Sequence, residues 1–448
     1  MLHKPGVTQN LARFVVDTRL DDVPERARHE AKRALLNFFA VALSGSRTGP
    51  VETALASLGE FSDKKQASVI GRPERIDALS AAFLNAASAN VYDFCDTHLA
   101  TVIHPTSPLA PGLLALSDLR RVTGVQLLLA FVLGFEVECR IGRVISPGHY
   151  ARGWHITSTC GVFGAAAGVG KLLELDTQRM IWALGNAATQ SCGLCECLGW
   201  PAKSLSVGNA ARNGLWSALL AEKGFEGPPE PIAGVQGFFN AMGEPPNWAA
   251  VTEGFGEAWE ITDNSLKPYP CGFVIHPFLD CVLDWRRDHP DVAVERMVLR
   301  GHPLLADRTD RPAIATGREA QVSVQHAVAA ALVFGSAGVD QFTDACACDP
   351  QVVALRHKVA VVRDASIATI AAEVDLFTSD GKKYSLTTKA ARGSSSNPLS
   401  DRDVEAKLRA AAAGRIADKQ AQLLIEGVWA LERNSDVAGL VALAVPGR

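Results

Sequence analysis

A change of hydrophobic period part-way along the chain constrains this sequence more than any other feature. Up to about residue 266, apolar residues recur in long Ala-, Gly- and Leu-rich blocks at helical spacing. Pro24 to Ser44 opens with a charged turn, continues as Ala34-Leu35-Leu36-Asn37-Phe38-Phe39-Ala40-Val41-Ala42-Leu43, and meets its stop at Gly45. Residues 79–91 and 127–144 predict two more buried helices. In the second, Glu136, Arg140 and Arg143 share one face and predict a salt-bridged stripe. Residues 159–175 are crowded with Gly161, Gly164, Gly168 and Gly170. Gly170-Lys171 suggests a phosphate loop, but Ala165 stands where its first glycine belongs and Leu172 where Ser or Thr belongs. The better reading is a helix whose small faces pack closely against neighbours.

Beyond residue 266 the period shortens. Residues 373–377 and 383–387 alternate as strands do, with Asp380-Gly381 as a hairpin turn between them. Residues 298–300 and 358–362 predict further strands, and 317–335 reads as one long Ala/Val-rich helix. After the loop from Gly393 to Pro398, Ser400 starts a helix with Asp403 in the capping-box position, and the tail is helical to about Glu432. The fold expected is therefore a large all-α domain (residues 1–266 and 400–448) with a smaller α+β lid domain (267–399).

Composition narrows the function. A net charge of −4 argues against a general nucleic-acid binder. No apolar stretch reaches bilayer length, and the segment after Met1-Leu2-His3-Lys4-Pro5 has no secretory core, so a cytoplasmic protein without a membrane span is expected. Ten cysteines in 448 residues are too few for a disulfide scaffold. Cys192, Cys195 and Cys197 lack a second ligand pair at zinc spacing, and no metal is expected. Nucleophile-elbow, zinc-helix, calcium-loop and dinucleotide motifs are absent.

Polar residues cluster in four blocks. The first runs Asp93-Phe94-Cys95-Asp96-Thr97-His98 and on to His104-Pro105; if the preceding helix continues, Asp93 and Thr97 share a face. The alternative is helix capping followed by a solvated loop. The second, Gly153-Trp154-His155, puts an imidazole at the start of the small-residue helix. The third places Lys203 just ahead of a helix beginning near Ser206, where charge and helix dipole together suit a carboxylate or phosphate; the bland alternative is an exposed lysine. The fourth, Lys267-Pro268-Tyr269-Pro270-Cys271-Gly272 with His276 following, presents Lys267 from a stretch that two prolines hold extended.

In their order these blocks resemble the MmgE/PrpD family. The resemblance continues through Asn213-Gly214-Leu215, Val324-Gln325-His326-Ala327 and Asn397-Pro398-Leu399-Ser400, and covers nearly the whole chain. It implies a helical domain and a lid, a homodimer, an active site in the cleft between the domains, and no redox cofactor. It also implies that Asp93, Thr97, His104, His155, Lys203 and Lys267 fall on active-site positions, Thr97 as a substrate contact and the others as catalytic groups. His98, Ser206, Cys271, His276 and His326, in or beside the same blocks, are expected to contact substrate. There are departures: Gly272 stands where decarboxylases of the family carry a histidine, Ser206 where many members have His or Asn, and His326 where many have Tyr.

The implied reactions share one hard step, building carbanion character beside a carboxylate of a di- or tricarboxylate. Lysines would neutralise the growing charge, and histidines would move the proton. Dehydration of the 2-methylcitrate type is the leading expectation. Epimerisation of a dicarboxylate such as iminodisuccinate and decarboxylation of the cis-aconitate type are the alternatives, and carboxylate binding without turnover is a remote one.

Overall fold

A computed structural model describes residues 6–243 and 249–447. The segment Met1–Pro5, part of the secretory-signal argument, lies outside them. The chain divides into two compact units: Met1–Val91, Cys95–Asn264 and Ser400–Arg448 form one, and Tyr92–Phe94 with Ser265–Leu399 form the other.

The first unit is helical. Its centre is built from Ala78–Asn90, Thr106–Ser117, Gly124–Ile145, Ile156–Leu172 and Ala202–Glu222. Asp77 caps the first of these and a Thr123–Gln126 capping box starts the third, each satisfying amide groups that a helix start leaves open. The small residues of Ile156–Leu172 serve close packing, as their pattern predicts. A Cβ added at Gly214 would lie 2.4 Å from that of Ala165, so these two helices meet at a distance only glycine permits. Gly170-Lys171 is ordinary helix. Phe38, Phe131, Phe135 and Phe163 are fully buried, each contributing roughly 2–3 kcal/mol of hydrophobic stabilisation. Glu136 and Arg140 pair at 3.0 Å, but inside the protein rather than on a solvated stripe, while Arg143 turns to Glu260 at 2.6 Å.

The second unit carries a four-stranded sheet in the order Val359–Arg363, Val294–Gly301, Ala372–Thr378, Lys383–Thr388. The first pair is parallel and the other two are antiparallel. Met297, Leu299, Val374 and Leu376 bury one face against Phe278, Leu279, Val282 and Trp285 of the helix His276–Asp288 and against Val324, Ala327, Val328 and Ala331. The hairpin turns at Gly381, whose φ of 83° is the left-handed value that glycine supplies.

Three local expectations need correction. The run 317–335 is two helices, Gly317–Ala320 and Val324–Phe334, because the Ser323 side chain accepts the His326 N–H and starts the second. The helix carrying Lys203 begins at Ala202, directly after Pro201, so Lys203 lies in its first turn and not ahead of it. The helix before the first polar block ends at Asn90. Asp93 follows at φ 51° and Asp96–His98 is a short strand, so Asp93 and Thr97 do not share a helix face.

Candidate active site

In the helical unit the strand Asp96–His98 turns back on itself, and the His98 N–H donates to the Ile103 carbonyl at 2.8 Å. The return brings His104 beside the start of the strand. His104 Nδ1 lies 2.7 Å from the Asp96 carbonyl and 3.0 Å from the Thr97 hydroxyl. A carbonyl only accepts, so Nδ1 carries the proton and Nε2 is the basic nitrogen of the neutral ring. The His104 N–H donates to Thr157 Oγ1 at 3.1 Å, tying the turn to the next helix.

His155 precedes that helix, Ile156–Leu172, as its N-cap residue. Its Nδ1 is 3.3 Å from both Ser206 Oγ and Ser158 Oγ. Each hydroxyl gives its own proton to a carbonyl, Ser206 to Lys203 at 2.8 Å and Ser158 to His155 at 3.0 Å. In that arrangement both present lone pairs to the ring, which suits a proton on His155 Nδ1. Lys203, only 4% exposed, sits in the first turn of Ala202–Glu222, where its charge adds to the positive end of the helix dipole. His155, Ser206 and Lys203 thus form one cluster, and Thr97 with His104 a second. His98 joins neither: its ring lies between Thr101 Oγ1 at 2.9 Å and the Glu260 carboxylate at 3.0 Å.

In the α+β unit the Lys267 ammonium is 1% exposed and donates to the carbonyls of Asp93 at 3.0 Å and Cys271 at 3.2 Å. The Asp93 carboxylate lies 3.2 Å from the same ammonium. His276 joins through Nε2, 3.2 Å from the same Cys271 carbonyl, with its ring stacked on Phe273. Burial pushes the Cys271 thiol well above its usual range, so it is a neutral packing group and not a thiolate. His326 makes its contacts elsewhere. Its Nε2–H donates to the Gln341 carbonyl at 2.7 Å, and burial lowers its pKa to about 4, so it is neutral at pH 7.

Two family models match the chain. The MmgE/PrpD N-terminal domain model matches residues 9–250 and the MmgE/PrpD C-terminal domain model matches residues 269–432. The chain belongs to the MmgE/PrpD family. Within it, the chain is similar to a cis-aconitate decarboxylase-like protein of Aspergillus oryzae, at 29% identity covering 98% of this chain and 97% of that protein. It is 30% identical to the cis-aconitate decarboxylase of Aspergillus terreus over 64% of this chain and 62% of that enzyme. The mouse cis-aconitate decarboxylase is 27% identical over 98% of this chain and 93% of the mouse chain.

Two acids that the motifs did not single out stand close behind the histidines of this MmgE/PrpD chain. Asp96 is fully buried and accepts from Thr106 and Asn264, and Glu260 holds both His98 and Arg143. Asp96 lies inside a block the sequence did mark, so its position was visible but its partners were not. Among the described residues, no group of three or more His, Cys, Asp or Glu side chains is arranged to hold a metal ion. None of the ten cysteines is in a disulfide, and Cys195 Sγ contacts the Trp154 carbonyl at 3.2 Å. Among the described residues, no helix is long and apolar enough to cross a membrane.

Proposed function

We propose that this protein is a lyase acting on a di- or tricarboxylate, working by proton transfer at a carbon beside a carboxylate. The observation that carries the reading is the shared tautomer of His104 and His155. Nδ1 is held in each, by the Asp96 carbonyl in His104 and by the Ser206 and Ser158 hydroxyls in His155, which supports Nε2 as the proton-exchanging nitrogen. Lys203 and Lys267 neutralise substrate carboxylates as charge builds up on the reacting carbon. Asp93 holds Lys267 and Thr97 donates to substrate. Ser206 stands against His155, Cys271 and His276 stand beside Lys267, and His98 fixes Glu260.

The decarboxylase names of the relatives favour decarboxylation of a cis-aconitate-like acid over the dehydration first expected. In that reaction the bond to the departing carboxylate breaks and CO2 leaves. The electron pair stays on the substrate carbon and collects a proton from an imidazolium Nε2–H. Dehydration is the second reading. Gly272 favours it, because the family's decarboxylases carry a histidine there. In dehydration a histidine removes the α-proton, and a second acid protonates the departing hydroxyl. Neither route calls for a redox cofactor.

Proton NMR in D2O with citrate, 2-methylcitrate, cis-aconitate, malate and iminodisuccinate distinguishes these routes, with Lys203→Ala as control. Loss of CO2 from cis-aconitate is the expected result. Loss of water names the dehydratase, and α-deuteration without net loss names an epimerase. Silence across the panel would overturn the lyase reading for these acids.

A further inference from the structure

We propose that Asp96 is the positioning residue of His104, holding its imidazole in the Nδ1-protonated form through both halves of one residue. The inference rests on the proposed proton-transfer role of His104 and deepens it. The backbone half is the carbonyl that accepts Nδ1–H at 2.7 Å. The side-chain half points to the other end of the same loop. Its Oδ1 accepts the Thr106 N–H at 3.3 Å, and its Oδ2 accepts the Thr106 hydroxyl and the Asn264 amide, the latter at 3.0 Å.

Thr106 is the first residue of the helix Thr106–Ser117, so the Asp96 carboxylate satisfies one of the amides that helix start leaves open. One residue thus closes the loop from 96 to 106, with His104 two residues before its far anchor. The closure has strain to contain. Val102, two residues before His104, is held at φ 54°, a left-handed conformation that β-branched residues avoid. Such a residue persists only where its surroundings over-determine it. Here the His98–Ile103 pairing and the Asp96 clamp do so.

The side-chain chemistry is specific as well. Asp96 is fully buried and faces three donors. A carboxylate has lone pairs for all of them, whereas asparagine would turn an N–H2 group toward at least one. A buried acid is an expensive way to cap a helix. Its other product is a carbonyl fixed at the one position that sets the His104 tautomer.

The test uses the full chain with 15N-labelled histidine, the His104 signals being assigned by their loss in His104→Gln. In the wild type, His104 is expected to be protonated at Nδ1. In Asp96→Asn and in Thr106→Val, its ring nitrogens are expected to move toward the Nε2-protonated or averaged form. Lyase kcat should fall about 10–100-fold with KM changed less than about threefold, as for a misplaced catalytic group. Thr106→Ser, which keeps the hydroxyl, should restore both. If Asp96→Asn does not fold, the Thr106 pair still decides. A His104 tautomer unchanged in Thr106→Val, or a loss that Thr106→Ser does not repair, overturns the proposal. The tautomer is read without substrate. An Nδ1-protonated His104 in a wild type that turns over none of the acids overturns the lyase reading alone.

Discussion

The Lys267 ammonium is bound twice to Asp93, 3.0 Å from its carbonyl and 3.2 Å from its carboxylate. Both charges are buried, so neither is well solvated without the other. Removing either partner leaves the other charge in the interior without it, which typically costs about 3–5 kcal/mol. Asp93→Asn keeps a residue that tolerates the left-handed backbone at this position. It and Lys267→Met should each lower the urea-unfolding free energy by roughly 3 kcal/mol, and the double substitution by less than the sum of the two. Both should lose turnover. Effects that add strictly in the double variant would mean that the two charges do not interact.

Lys203 and His155 are buried at the starts of two helices, yet neither belongs to the apolar core. Lys203→Ala and His155→Ala should abolish turnover while leaving Tm within a few degrees of wild type, as for residues that serve a site. A Tm drop of more than about 10 °C in either would count against the assignment.

Gly193 guards the same histidine. Its φ is 134°, and an added Cβ would lie 2.0 Å from the Ser158 oxygen that holds His155 Nδ1. Gly193→Ala should cut kcat by an order of magnitude or more and destabilise by at least about 1 kcal/mol. Part of that stability should return in Gly193→Ala/Ser158→Ala, since the clashing oxygen is gone. Strict additivity in this double-mutant cycle would show that the two positions do not interact.

What could be read in the sequence was local. Asp380-Gly381 between alternating runs announced the hairpin, and Ser400 with Asp403 announced the returning helix, because turn and cap chemistry operate within four residues. Pro201 before Ala202 was an available start signal for the Lys203 helix that went unused. Ser323 was hidden inside an Ala/Val-rich run whose apolar character outweighed one cap. The acids behind the histidines were not legible at all. Asp96 meets Asn264 across 168 residues of chain, and Glu260 reaches His98 and Arg143 by tertiary folding. Hydrophobic period and short motifs carry no trace of such pairings.

Glu260 makes a clear statement about acid stability. Burial raises its carboxyl, but His98 and Arg143 together outweigh burial and hold it at about 2, against a usual value of 4.5. A depressed acid contributes stability that is fully present above the unfolded-state value and lost as pH falls through the folded one. The contribution, roughly 3 kcal/mol at neutral pH, should disappear between about pH 4.5 and 2. Glu260→Gln should be less stable than wild type at pH 7 and converge with it in that acid window. Unfolding curves that stay equally far apart from pH 7 to 2 would reject the pairing.

Glu138 runs the other way. It is fully buried on the helix Gly124–Ile145, and neither carboxyl oxygen has a hydrogen-bond partner among the described residues. Gly161 and Gly164 make room for it: a Cβ at Gly164 would lie 2.9 Å from the carboxyl carbon. Burial, with the nearby charge of Asp96, pushes its pKa well above 4.5. The folded protein therefore keeps a proton that the unfolded chain releases, and stability falls as pH rises from about 4.5 toward the raised value. The loss is about 1.4 kcal/mol for each pH unit in that range. Glu138→Gln has the same shape and no proton to lose. It should match wild type within about 1 kcal/mol at pH 4 and become progressively more stable than wild type toward pH 8. Titrating groups that do not interact with Glu138 cancel in this difference, so its slope reports Glu138 together with Asp96, which acts on it. A pH-independent difference in urea-unfolding free energy would mean that the buried carboxyl finds a stabilising partner and is ionised in the folded state.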